Sequence, residues 1–283
     1  MMVKTRLIFR AKVLLLLAVV APFFLGGLTA KANLLSTFPE MGDLERWAVF
    51  SLGGSVYMYD DATGTTDVYG DVGVAGNGNI TLQGNAIIHG DLWYETVGKL
   101  TLQGNAKITG TKHHDASSDS QLNNGVNEAN LTSDHAFSLP VTPTYATLTN
   151  VNLSNRQSLT ITGAPGQTVV LKLQNFTMNG GTFTLQGSAT TNFVINVSSQ
   201  FSLGSRAQIV LSGGVAWDDV LFNVRNTGTD VTVNGQSKFQ GILMANKRTV
   251  AGDSKAAFYG EIVANQVTLK GGAQVVHPPI TSP

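Results

Sequence analysis

Seven hydroxyl side chains recur in one repeated context: Thr81, Thr101, Thr184, Ser202, Thr232, Thr249 and Thr268. Threonine presents a hydroxyl and a methyl together. Set at fixed intervals on a rigid, flat surface, such pairs can hold water or another ordered ligand in register. The same residues also have a purely structural use, because threonine suits exposed strand positions and cross-strand Thr pairs stabilise stacked strands. Their neighbours weigh against a ligand face: Gln83, Gln103, Gln186, Asn234 and Lys270 are long or charged.

Other residue groups invite chemistry without completing it. Asp60, Asp61, Asp67, Asp71 and Asp91 form the densest acidic cluster, but the D-x-[DN]-x-[DN]-G calcium loop is absent. They read as solvated turn carboxylates. His113-His114-Asp115 lacks any supporting H-E-x-x-H or cysteine set, so no metal is predicted. Asp218-Asp219 follows Trp217 in the manner of a carboxylate pair, whereas a glycosidase needs carboxylates converging across a groove. There is no G-x-S-x-G and no P-loop. The sequence predicts no catalytic residues, no cofactor and no enzyme.

The elements that position the hydroxyls are written in the sequence itself. NITLQGNAIIHG (79–90) and KLTLQGNAKITG (99–110) repeat the phrase TLQGNA after twenty positions, and TLQG returns at 184–187. In Leu100 to Ile108, Leu100, Leu102, Ala106 and Ile108 alternate inward while Thr101, Gln103 and Lys107 point outward. Gly104-Asn105 breaks the alternation as a corner. Degenerate copies follow at 201–213, 231–241, 249–260 and 267–276. The hydroxyl positions are 20, 18, 17 and 19 residues apart from 81 to 101, 184 to 202, 232 to 249 and 249 to 268. A 30-residue gap between Ser202 and Thr232 predicts one irregular coil. Strand, corner and strand at this period predict an all-β fold, a β-solenoid whose stacked coils close a common core.

Residues 1–32 read as a signal peptide: Lys4, Arg6, Arg10 and Lys12, an apolar run at 13–27, then Ala30-Lys31-Ala32. Without these five basic residues the chain keeps 13 basic against 18 acidic, a net −5 that argues against nucleic acid or an anionic membrane surface as partner. There is no cysteine, so stability must come from core and hydrogen-bonded lattice. Residues 33–283 are expected to form a single β-solenoid domain. One polar stretch, 112–144, lacks strand alternation; a helix along the flank there would use Leu122, Val126, Leu131 and Phe137. Sequons at Asn79, Asn130, Asn152, Asn175 and Asn196 read as coincidence in an Asn/Thr-rich chain.

Ala48-Val49-Phe50 followed by Gly70-Asp71-Val72-Gly73 resembles the opening of the ice-binding-like β-solenoid family. Gly241-Ile242-Leu243, Gly260-Glu261-Ile262-Val263 and His277-Pro278-Pro279 also resemble bacterial choice-of-anchor surface domains. The resemblance spans most of 45–280 and implies a right-handed, discontinuous β-solenoid (β-helix) with a helix alongside. The expected role is a secreted, non-enzymatic extracellular structural or adhesive protein. Ice binding is the alternative and a carbohydrate-active solenoid a distant third. The expected partners are an extracellular surface, polysaccharide or ice, with self-association also open and no membrane span after the leader is removed.

Overall fold

The computed structural model describes residues 34–42, 44–60 and 64–279. The expected signal peptide lies outside them, as does Asp61. The described strands form one 21-stranded sheet in which every pairing is parallel. The sheet winds into right-handed coils, the hand that parallel crossovers adopt. Rungs lie ~4.8 Å apart.

The first described strand lies in the middle of the stack. Trp47–Ser51 pairs with Asp71–Val74 on one side and with Ala257–Lys270 on the other. From there the coils run outward to Lys112–His113. A 23-residue helix, Ala116–Ser138, then carries the chain back along the stack, a span of roughly 35 Å at 1.5 Å per residue. Asn150–Ser154 opens the far end, and later coils return until Gln274–Val276 pairs with Asp67–Tyr69. The solenoid is therefore discontinuous: its first and last coils are neighbours.

Three stacks of strands result. One, including Trp47–Ser51 and Val220–Val224, is buried on both sides because the helix and the segment from Leu34 to Arg46 cover it. A second bears Thr81 and is called the threonine face. The third runs through Tyr259 and Tyr69 and is called the tyrosine face.

The repeated TLQGNA phrase is explained position by position. Leu82 and Ala86 are buried between coils. Gln83 Nε2 donates to Gln103 Oε1 at 2.8 Å, and Asn105 Nδ2 donates to Asn85 Oδ1 at 3.1 Å, so the polar letters form ladders. Gly84 and Gly104 turn the corner at φ +73° and +72°, and a Cβ on Gly104 would lie 2.9 Å from the Gly84 carbonyl. Only glycine satisfies both demands.

Two expectations need correction. Leu102 points inward but is 39% exposed, because its coil is the last of the stack and no described strand pairs over it. The helix is present in 112–144, yet Leu131 and Phe137 are 60% and 42% exposed. Its buried face is Ser118, Leu122, Gly125, Ala129, Thr132, Ser133 and Ala136, with Val126 partly buried against the same cluster. Small and polar residues serve here because the helix sits close to the sheet. A Cβ on Gly125 would meet the Phe50 ring at 2.8 Å. Asn223 and Asn196 reach up from the strands to the Ser133 and Ala136 carbonyls at 2.9 and 2.8 Å. A sequence search for an apolar stripe misses such a face. It also follows that the Asn196 sequon is buried and already bonded.

The irregular coil behind the 30-residue gap is organised by one side chain. Arg248 is 3% exposed and donates to the carbonyls of Asn226 and Arg225 at 2.8 Å each, and to that of Ser199. Burial holds its guanidinium below the usual range. Arg248→Met should leave these carbonyls unpaired and cost about 2–3 kcal/mol. Thermal unfolding checks this, with new proteolytic cutting expected within 225–230.

Candidate ligand face

On the threonine face the parallel register defines one outward file. From one end it reads Thr101, Thr81, Tyr57, Thr268, Ala251, Thr232, Ser202, Thr177 and Asn152. Each step is one rung, ~4.8 Å, and positions two residues along a strand stand roughly 6–7 Å away. The file is therefore part of a two-dimensional grid fixed by backbone hydrogen bonds.

The structure brings together Thr81, Thr101, Ser202, Thr232 and Thr268. It does not bring the other two with them. Thr184 pairs with Thr160 and Val210 on the tyrosine face. Its TLQG phrase is the same because strands on either face share the same inward/outward alternation, so local sequence carries no face label. Thr249 pairs with Gln266 in the neighbouring file. A register shift between Ala245 and Thr249, where the strand turns a corner, moves the equivalent position to Ala251.

Tyr57, Ala251, Thr177 and Asn152 escaped sequence reading. Thr177 carried a signal: Phe176-Thr177-Met178 has the same alternation as Leu100-Thr101-Leu102. Tyr57 divides the file, its hydroxyl donating to Gln83 Oε1 at 2.9 Å. Beyond it, Thr268, Ala251, Thr232, Ser202 and Thr177 make an unbroken run of small side chains. The flank that argued against a ligand face is milder than expected. Gln186 follows Thr184 onto the other face, the Gln83–Gln103 ladder lies beyond Tyr57, and Lys270 is paired with Asp253 at 3.3 Å. Beside Ser202 and Thr177 the flank is Gly204 and Asn179 on one side and Gln200 and Asn175 on the other.

The remaining candidates serve the scaffold. Asp71 Oδ1 accepts from the Asp91 amide and Asp91 Oδ1 from the Thr111 amide, at 2.8 and 2.7 Å, one carboxylate per coil. The Thr111 amide first, and His113 second, hold the Asp91 carboxyl below its ordinary range. Asp60 accepts from Asn85 Nδ2 at 2.7 Å, and Asp67 meets His89 at 3.1 Å. The His113-His114-Asp115 run is split three ways. His113 stacks on Trp93 at 3.7 Å, His114 stacks on Tyr94 at 4.1 Å, and Asp115 caps the helix by accepting from the Ser118 amide. Asp218 and Asp219 are buried rather than facing a groove, and Asp219 accepts from the Ala216 amide at 2.7 Å.

Several solved structures share this fold. A glycosylated ice-binding protein from an Arctic yeast is similar at TM-score 0.55 and 18% identity, covering 89% of this chain and 96% of that one. The ice-binding protein of the Antarctic ascomycete Antarctomyces psychrotrophicus gives TM-score 0.51 and 17% identity, over 83% and 96%. A domain of Shewanella frigidimarina ice-binding protein 1 gives 0.51 and 16%, over 89% and 99%. No curated protein matches the sequence significantly. The profile of the ice-binding-like family matches residues 59–275, most of the chain. The protein belongs to the ice-binding-like family.

Proposed function

We propose that the protein binds ice, outside the cell, through the threonine face. The observation that carries this reading is the in-register run Thr268, Ala251, Thr232, Ser202 and Thr177, five consecutive rungs of small side chains. Hydroxyls there hold water by hydrogen bonds, and methyls and Ala251 leave room for it to take an ordered arrangement. Each such contact is weak, and affinity comes from many of them held at once by a scaffold that needs no reordering. The other faces suit this less: one is covered by the helix, and the third carries the exposed rings of Tyr259 and Tyr69 within its own outward file. The exposed ring of the threonine face, Tyr59, stands beside Tyr57, outside the five-rung run.

A structural or adhesive matrix role, the leading expectation from sequence, gains no support from the family or the fold relatives. The family and the face both favour ice over polysaccharide. The buried Asp218 and Asp219 remove the residues that had suggested sugar chemistry.

Purified protein should produce a gap between melting and freezing points and should shape growing crystals. Unshaped discs and no gap at high concentration would overturn the proposal.

A further inference from the structure

The seam where the first coil meets the last buries acid with no compensating cation among the described residues. Glu261, in the phrase Gly260-Glu261-Ile262-Val263, is 1% exposed and neither carboxylate oxygen has a hydrogen-bond partner. Close enough to influence it is Glu45, from the turn Leu44–Arg46, also buried and with Oε1 unpartnered. The turn Trp217–Asp219 contributes Asp218 beside Glu45, and Asp219, which accepts from the Ala216 amide. Asp71 comes from the strand Asp71–Val74 and His277 from just after the last strand; His277 is hydrogen-bonded to the Glu45 backbone. Arg46 is turned away: its guanidinium lies 4.5 and 4.4 Å over Trp47 and Trp93, and it donates to Gln121. At the outer end of the same segment, Glu40 pairs with His135 at 2.9 Å.

An ionised carboxylate with no donor and no cation is strongly disfavoured in such a place. Neutral acid is not. We infer that Glu261 and Glu45 form a proton-dependent latch, which fastens the segment from Leu34 to Arg46 over the seam while protonated and releases it as they ionise. That segment buries Phe38, Met41 and Leu44 against the covered face, so opening uncovers apolar surface there and leaves the threonine face in place.

The direction of titration agrees. Burial first, and Asp218 second, push the Glu45 carboxyl up to about 7. Burial, then Glu45, push Glu261 well above the carboxylate range. In both, the folded state keeps a proton that the unfolded chain releases near pH 4.5. Stability from these groups is therefore full below about 4.5 and falls as pH rises, through about 7 for Glu45 and through a pKa well above the carboxylate range for Glu261.

The test is hydrogen exchange of residues 34–46 at pH 5, 7 and 9, as protection factors corrected for the intrinsic pH effect. In the native protein protection should fall up to about tenfold per pH unit for each proton lost. Glu261→Gln should flatten most of this fall, and Glu45→Gln should flatten the part below about pH 7. The second variant also serves if the first does not fold. An unchanged fall in a folded variant would overturn the latch. So would protection at pH 9 that rises with Ca²⁺ and drops with a chelator, since a cation rather than a proton would then hold the seam.

Discussion

Thr232→Arg should abolish ice-crystal shaping and the freezing gap while leaving circular dichroism and melting temperature unchanged. Thr232 is the middle rung of the five-residue run, between Ala251 and Ser202. Its side chain faces outward, so the fold tolerates the change within about 0.5 kcal/mol. The grid does not tolerate it. A long, hydrated, charged side chain stands above its neighbours and holds water in its own arrangement, lifting the rungs on both sides away from the ice surface. The matched control is Thr184→Arg, equally outward but on the tyrosine face. It should keep full activity. Loss in both variants, or in neither, would mean that the face is misassigned. Thr101→Arg is the weaker probe, because Thr101 occupies the last rung, beyond Tyr57.

That contrast marks what the sequence could and could not tell. The coil is legible because TLQGNA writes core, ladder and corner into six adjacent letters, each answering to the same position one rung away. Side-chain direction is legible for the same reason, through strict alternation. Which face a strand occupies is not, because faces are separated by corners of variable length. The corner at 246–248 displaced Thr249 by two positions, and Thr184 went to another face with its phrase intact. Order along the stack was also hidden. The helix reverses the path, so Thr268, late in the sequence, lies next to Tyr57, which is early. The objection drawn from the glutamines depended on the same hidden order: Gln83 and Gln103 flank Thr81 and Thr101 beyond Tyr57, and Gln186 lies on the other face.

Leu82→Asp should be the most damaging substitution in the amino-terminal coils. Leu82 has no exposure and lies between Met58 and Leu102 on adjacent rungs. Aspartate there forfeits the burial of an aliphatic side chain, about 2 kcal/mol. It also places a carboxylate in a site without a donor. Together these should cost more than about 4 kcal/mol, which for a chain of this size lowers the melting temperature by roughly 10 °C. Leu102→Asp makes the same chemical change at the open end, where the carboxylate can reach water. Its cost should be about 1 kcal/mol. The two melting curves, read side by side, test the stacking order itself. Equal losses would contradict an end position for Leu102.

Adsorption of the threonine face to ice can be seen directly. Fluorescently labelled protein is offered to a slowly growing single ice crystal, and the crystal is then imaged. Label should concentrate on the crystal for the native protein and for Thr184→Arg, and should be rejected into the liquid for Thr232→Arg. Rejection of the native protein, or adsorption of Thr232→Arg as strong as the native, would contradict ice binding through this face.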